Sequence, residues 1–376
     1  MKILYICTYY HRAMIFRNSM NYLIKLGNQV NVFNAVAKKT KIDDKYKDIM
    51  DDLVIHKECF NKWDRFVYRH KQKKIYKALV SSYTITLFDI IHSHTLFNGG
   101  YVTYLIKKYF GIPYVVSVRN TDLNVFLKIP IFIRIANKIV SNASGVHFLS
   151  TSYKNQFIND YIKSDLKDDV NNKSIVVGNG LEEFWLENKA NPKKRSEGKK
   201  INILCVGKID KNKNIITTIN AINILISKGY DVIYTVVGQV VEESVFKEIK
   251  QVSFVRYIPY LTKEELIKIY RENDIFVMPS IAESFGRVYA EAMTQGLPVI
   301  YTQGQGFDGI FNDGFIGYAV PSDNPEYISE RILKILENYV DISMRCIEQC
   351  EKFNWSNISE TLNQFYLDSV KREGAI

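Results

Sequence analysis

Two doubly wound α/β domains are predicted for this chain, on three observations. Strand-like apolar runs alternate with helix-period segments through both halves of the sequence, the pattern of parallel sheets with helical crossovers. The length, 376 residues, exceeds one ordinary core and suits two domains of about 150–200 residues. Between the halves, residues 187–200, ENKANPKKRSEGKK, are polar, contain Pro and Gly, and lack apolar periodicity, as a linker does. The expected organisation is 1–186, a linker at 187–200, 201–354, and a closing amphipathic helix at 355–376 that packs back toward the first domain.

In chain order, the clearest N-terminal strands are KILYIC, QVNVFNA, FDIIHSH, PYVVSVR, GVHFLS and SIVVGN. Helical patterns lie between them, among them RNSMNYLIKLG and GYVTYLIKKYFG, stopped by Gly27 and Gly111. The C-terminal strands are INILCVG, DVIYTVVG, SFVRYI, DIFVMPS, LPVIYT and GYAVP. The helices NIITTINAINILISKG, TKEELIKIYREN and GRVYAEAMTQG come between them, and WSNISETLNQFYLDSVKRE closes the chain. Two such sheets are expected to face each other across a cleft. Ligands of doubly wound sheets sit beyond the carboxyl ends of the strands, so the loops there are where chemistry belongs.

Composition is globular, 47% hydrophobic and 24% charged. No run approaches the roughly 18 uncharged apolar residues of a membrane span. MKILYICTYY passes from one Lys straight into a strand pattern, as a first strand does and a signal peptide does not. Five cysteines, odd in number and mostly far apart, point to a reduced, cytoplasmic protein. The charge is uneven. Residues 1–186 carry 27 Lys and Arg against 15 Asp and Glu, whereas residues 201–376 carry 17 against 23. A basic first half suits an anionic partner, either nucleic acid or an anionic lipid surface. No nucleic-acid motif accompanies the charge, so no nucleic-acid partner is expected.

Two stretches carry the candidate chemistry. In LCVGKIDKNKN, 204–214, a buried strand ends at Gly207, where the backbone can approach a ligand, and Lys208 and Lys213 follow across a turn. Two ammonium groups at a strand's carboxyl end can neutralise a diphosphate, although a solvated Lys-rich loop has the same composition. In ESFGRVYAE, 283–291, the first free N–H groups of a helix near Ser284, Phe285 and Gly286 can hold phosphate oxygens. Glu283 precedes that helix and Glu291 follows about 12 Å along it, at about 1.5 Å per residue. Carboxylates accept from vicinal hydroxyls, and about this length separates sugar from ribose in a folded nucleotide sugar. The plainer alternative is a helix-start acid and a solvated helix charge.

With these residues the C-terminal half resembles the retaining GT-B glycosyltransferases of glycosyltransferase family 4. Their E-x7-E pattern with an S-F-G-like core is matched by Glu283 through Glu291, and their V-G-R-L-x-x-x-K-G loop by Val206–Asn214, with Lys208 for Arg and Asn214 for Gly. VGNGL (177–181), FDIIHSH (88–94) and GQGFDGI (304–310) match further segments in the same order, so the resemblance covers nearly the whole chain. It implies that Glu291 binds the donor ribose and that Glu283 holds hydroxyls of the transferred sugar, with the amides of Phe285 and Gly286 alongside. It also implies that Lys208 and Lys213 stabilise the diphosphate leaving group without a metal or other cofactor. The donor expected is a nucleotide-diphosphate sugar, a UDP-sugar above all.

The N-terminal half departs from the family. A Gly-Gly loop after the first strand is replaced by CTYYHRAMIFR, with Arg12 and Arg17. Arg119, in VRNTD, stands where many members have a His, with Asp122 in the place of that loop's Asp. Arg119 is assigned to donor binding. A guanidinium cannot serve as a base, so Asp122 and His94 become the candidate acceptor-activating groups, with a structural role for His94 equally open. Residues 61–79 and 126–140 interleave cations with Trp63, Phe66, Ile and Tyr, as an interfacial surface on anionic lipid does, or a core helix with a solvated basic face. The expected acceptor is therefore a saccharide on a polyprenyl-type lipid, met at the inner face of the cell membrane during surface polysaccharide assembly. A catalytically silent partner subunit and a sugar-nucleotide epimerase are the other readings at this stage.

Overall fold

A computed structural model describes residues 1–42, 53–193 and 198–374. They divide into two compact units, Met1–Asn179 with Trp355–Ile376, and Gly180–Asn354. Each is built on one parallel sheet with helical crossovers. In the first unit the strands are β1 (Lys2–Ile6), β2 (Gln29–Ala37), β3 (Val54–Phe60), β4 (Ile90–Ser93), β5 (Tyr114–Val118), β6 (Gly145–Phe148) and β7 (Ser174–Val176). Their spatial order is β3-β2-β1-β4-β5-β6-β7. In the second unit β8 (Lys200–Val206), β9 (Asp231–Val237), β10 (Val255–Ile258), β11 (Ile275–Val277), β12 (Val299–Thr302) and β13 (Gly317–Val320) lie in the order β10-β9-β8-β11-β12-β13. Both units are thus doubly wound Rossmann-like layers, as the alternation of elements predicts. The strand order reverses beside β1 and beside β8, which places a crevice at the carboxyl ends of β1/β4 and of β8/β11.

Central strands are buried on both faces, and their sequences show it. All five residues of β5 and all four of β12 are inaccessible. The strand missing from the sequence-based set is β3, VIHKECF, an edge strand with no fully buried residue, whose pairing with β2 shifts register at Val36/Ala37. Without a buried face it has no alternation to reveal it.

The units separate at Asn179/Gly180, within VGNGL, rather than in residues 187–200. Residues 194–197 of that expected linker lie outside the described residues. The part before them is packed on the second unit. Trp185 is buried edge-on to Tyr270, the Ala190 amide donates to the Thr294 carbonyl, and Lys193 Nζ caps a helix end by donating to the carbonyls of Tyr270, Arg271 and Asn273. Polar composition marked the segment as a linker, whereas Lys193 within it and Trp185 just before it are packed on the second unit.

The closing helix, Trp355–Gly374, covers one face of the first sheet. Ile358, Leu362, Phe365 and Tyr366 join Ile3, Tyr5, Val30 and Val32 in one core. Gly145 in β6 makes room for it, since a Cβ there would stand 2.5 Å from Phe365 Cζ. Beneath the helix runs a buried polar ladder across the sheet. The Tyr366 hydroxyl pairs with His92 Nδ1 at 2.6 Å, and His92 Nε2 with Ser117 Oγ at 2.8 Å. Ser117 Oγ then pairs with His147 Nδ1 at 2.8 Å, and His147 Nε2 reaches the Val177 carbonyl at 2.8 Å. Burial holds His92 well below the ordinary histidine range, with the neighbouring His94, His147 and Arg119 adding to it. Burial likewise lowers His147 to about 3, with Arg119 adding to it.

These histidines are neutral in the fold and titrate ordinarily when unfolded. Below the unfolded value of about 6.5 the unfolded chain takes up protons that the fold refuses. Their stabilisation is therefore complete above that pH and declines as pH falls toward the folded value. One such histidine loses about 2 kcal/mol between pH 6.5 and 5. Melting temperature is expected to fall over that interval, and His147→Gln is expected to flatten the slope. Parallel pH profiles for the wild type and His147→Gln would show that the ladder does not carry the effect.

Candidate functional site

In the second unit, the loop after β8 is tied to the loop after β11. Asn212 pairs its side-chain amide with the backbone of Ala282, donating to the carbonyl and accepting from the N–H, each at 3.0 Å. The Asn212 carbonyl also takes the Ile281 N–H at 2.8 Å. Asp210 caps the short 3-10 turn Lys211–Lys213 by accepting from the Lys213 N–H. Asn214 then turns left-handed, at φ 55°, and its amide donates to the carbonyls of Pro279 (3.0 Å) and Ser322 (2.5 Å). A glycine is the ordinary residue for such backbone, and Asn is the tolerated alternative. The substitution of Gly by Asn214 therefore preserves the turn.

The clamp brings the predicted residues together. Lys213 Nζ lies 2.7 Å from Glu283 Oε2, and the Lys213 side chain covers Gly207, where a Cβ would meet Lys213 Cε at 3.1 Å. Lys208 projects into solvent on the same loop. Glu283 is held from three sides. Its Oε1 accepts the Ser284 N–H at 3.1 Å, its own N–H donates to Gln305 Oε1 at 3.0 Å, and its carbonyl accepts the Gly306 N–H at 3.0 Å. Gly306 lies against the Ser284 carbonyl, where a Cβ would come to 2.0 Å. Phe285 is buried among Phe307 and Phe353, which anchors the loop and presents its backbone. Gly286, at φ 76°, starts the helix Arg287–Thr294. The N-terminal N–H groups of that helix form an anion-favouring end.

Glu291 sits about one turn along this helix, half-buried, with the Tyr270 hydroxyl 3.5 Å from its Oε2. Burial pushes its carboxyl up to about 7, with Arg287 opposing and Glu182 adding to the rise. A carboxylate so poorly compensated is an acceptor in want of donors, as a pair of sugar hydroxyls supplies.

In the first unit, His94, Arg119 and Asp122 also come together, with roles that differ from those of acid and base in open solvent. Asp122, 1% exposed, accepts the N–H groups of Arg119 (2.9 Å), Leu96 (3.1 Å) and Phe97 (3.2 Å), so it ties the loop after β4 to the loop after β5. Burial pushes its carboxyl up to about 6 against those three bonds. His94, 4% exposed, packs against Tyr5, Phe16 and His92, and neither of its ring nitrogens has a hydrogen-bond partner. Burial, with Arg119 next in effect, holds it well below the ordinary histidine range and therefore neutral. Arg119 donates through Nε to the His94 carbonyl at 3.2 Å and lies over Phe16. Burial lowers its guanidinium to about 10. The bulky loop after β1 is filled by Tyr10 and His11, both buried.

Asn212 and Gln305 were not singled out in the sequence, since their contacts join segments 70 and 22 residues apart. Their only sequence trace is position, Gln305 between two glycines and Asn212 between two lysines. Among the described residues no three His, Cys, Asp or Glu groups gather as a metal site requires.

Comparison with known proteins places this geometry. Residues 187–353 match the family Glycosyl transferases group 1. The uncharacterized glycosyltransferase MJ1178 of Methanocaldococcus jannaschii is 25% identical over 343 residues, 89% of each chain. The capsular polysaccharide biosynthesis glycosyltransferase CapM of Staphylococcus aureus is 29% identical over 209 residues, 52% of this chain and 53% of its own. The crystal structure of Anabaena Alr3699/HepE in complex with UDP superposes with a TM-score of 0.70 at 16% identity, covering 97% of this chain and 99% of that one. At that identity the likeness speaks for the fold, which is GT-B.

The left-handed turn provides a stability test. Asn214→Gly retains the backbone geometry, whereas Asn214→Ala adds a left-handed cost of about 1 kcal/mol or more. Urea unfolding is expected to rank Ala below Gly by that margin, and equal midpoints would contradict the turn.

Proposed function

We propose that this chain, a glycosyltransferase with a group 1 domain, is a retaining, metal-independent enzyme that transfers a sugar from a UDP-sugar to a lipid-linked saccharide in surface polysaccharide assembly. The carrying observation is the Lys213–Glu283 pair, 2.7 Å apart at the carboxyl ends of adjoining strands β8 and β11 and beside a helix N-terminus. A donor laid along this loop puts its diphosphate between Lys213, Lys208 and the amides of Phe285 and Gly286. Its sugar hydroxyls then face Glu283 and its ribose Glu291. The C1–O bond to phosphate breaks, its electron pair goes to the diphosphate, and the fixed ammonium groups stabilise the charge that develops there. Those cations fill the part a metal plays elsewhere.

The acceptor hydroxyl forms the new C1–O bond and releases a proton. Asp122 is occupied by three amides and His94 is walled in by rings, which leaves the departing phosphate oxygen to take that proton. A base that leaves from the face by which the hydroxyl arrives gives retention. UDP in HepE supports a uridine donor, and likeness to CapM supports a capsule-type product. The basic surplus of residues 1–186, with Trp63, Phe66, Val67, Val125, Ile129 and Ile131 exposed, supports peripheral docking on the anionic inner membrane face. No helix among the described residues is long and apolar enough to cross a membrane.

Incubated with UDP-sugars and lipid-linked acceptors, the enzyme is expected to transfer sugar, and Lys213→Ala to lower kcat by about 10²–10³. Glu291→Ala is expected to weaken donor binding measured by calorimetry. Turnover and donor affinity unchanged in both variants would remove the reading. Flotation with phosphatidylglycerol vesicles is expected to carry the protein and to decline with salt. Equal flotation with neutral vesicles, insensitive to salt, would contradict the membrane component.

A further inference from the structure

Resting on the lipid-linked acceptor reading, we propose that Tyr9, Lys71 and Asn98 form a phosphate subsite for an amphiphilic acceptor, with the neighbouring exposed apolar residues receiving its hydrocarbon. Lys71 lies in the first turn of the helix Tyr68–Ser82 and is half-buried. Its Nζ donates to Asn98 Oδ1 at 3.1 Å and sits 4.8 Å from the Phe60 ring centroid. Asn98 Nδ2 in turn contacts the Tyr9 hydroxyl at 3.4 Å, and Tyr9 is 37% exposed. The row therefore runs from a withdrawn cation to solvent, along the loops that follow β1 and β4.

Among the described residues the row lacks a carboxylate of its own. The ammonium of Lys71 faces one amide oxygen and a ring face, and burial lowers its pKa. Desolvating an ammonium on such terms is costly unless an anion completes the site. The carboxylate that acts on Tyr9, Asp122, is committed to three backbone amides. An oxyanion entering at Tyr9 meets an ammonium, an amide NH2 and a phenol, all donors, as a phosphate requires.

Apolar residues adjoin the cation. Trp63 (78% exposed) and Phe66 (70%) precede it on the same segment. Tyr68, one turn before Lys71, packs edge-on to Phe132 at 5.1 Å, which brings exposed Ile129 and Ile131 to the same flank. A small anion accounts for Lys71 but not for this apolar flank, whereas a phosphate on a hydrocarbon chain accounts for both.

Calorimetric titration of the full chain tests it, using decyl phosphate, decanol and inorganic phosphate below micellar concentration. Decyl phosphate is expected to bind more tightly than inorganic phosphate through burial of its chain, and at least about tenfold more tightly than decanol on the strength of a charge-assisted hydrogen bond. Lys71→Gln is expected to erase that advantage and Lys71→Arg to retain it, with melting curves showing both folded. Trp63→Ser is expected to weaken decyl phosphate and leave inorganic phosphate unchanged. Equal affinity for decyl phosphate and decanol, or a Lys71→Gln variant that binds as wild type, overturns the subsite. Inorganic phosphate binding as tightly as decyl phosphate overturns the amphiphile. Lys71-dependent decyl phosphate binding without sugar transfer to lipid-linked acceptors would defeat the functional reading while the subsite stands.

Discussion

Backbone amides at the carboxyl ends of parallel strands lose their ladder partners, and in each unit a side chain from an adjacent loop replaces them. Asn212 does this for Ala282, Gln305 for Glu283, and Asp122 for Leu96, Phe97 and Arg119. Each bond is modest alone, about 1 kcal/mol net, and leaving such a buried amide unmade costs about 1–3 kcal/mol. Together they determine where the loops beside β1/β4 and β8/β11 stand, and those loops hold His94, Arg119, Lys208, Lys213 and Glu283. Pre-positioning of this kind lets a cation act on developing charge without reorganising during the reaction.

The Lys213–Glu283 pair shows what that rigidity serves. An ion pair of this geometry is an exchangeable contact, since its Coulombic gain is offset by desolvation of both partners. In the donor placement proposed above, a diphosphate would offer Lys213 a stronger counter-charge, and sugar hydroxyls would offer Glu283 replacement donors. The Ser284 amide donates to Glu283 Oε1 at 3.1 Å, a second tie on the carboxylate besides Lys213. Both groups are thus held in place at little net cost.

Much of the fold was legible in the sequence because it is periodic. Twelve of the thirteen strands among the described residues stood out as apolar runs, and β3 did not, because an exposed edge strand has no buried face to impose a pattern. Tertiary pairings left weaker traces. His92, Ser117 and His147 are 25 and 30 residues apart, and nothing local in FDIIHSH, PYVVSVR or GVHFLS says that they join in one ladder. The donor loops were legible for a different reason: a backbone that approaches a ligand needs glycine, and cations or acids beside glycine are conspicuous. Asp122 was equally conspicuous, but its neighbours in space direct it to backbone amides, which composition does not disclose.

The basic surplus of residues 1–186 separates, in the structure, into two kinds of charge. Arg69, Lys73, Lys77 and Lys128 are exposed, and ions screen them beyond about 8–10 Å at physiological salt. They can draw the chain toward an anionic surface but cannot select among anions. Lys71 and Arg119 are withdrawn from solvent, one balanced by an amide oxygen and a ring, the other fixed by a carbonyl and a ring. Their desolvation is the larger expense, offset at Arg119 in part by the nearby Asp122 carboxylate. Long-range attraction therefore suits the exposed cations, whereas the withdrawn ones are held by specific neighbours.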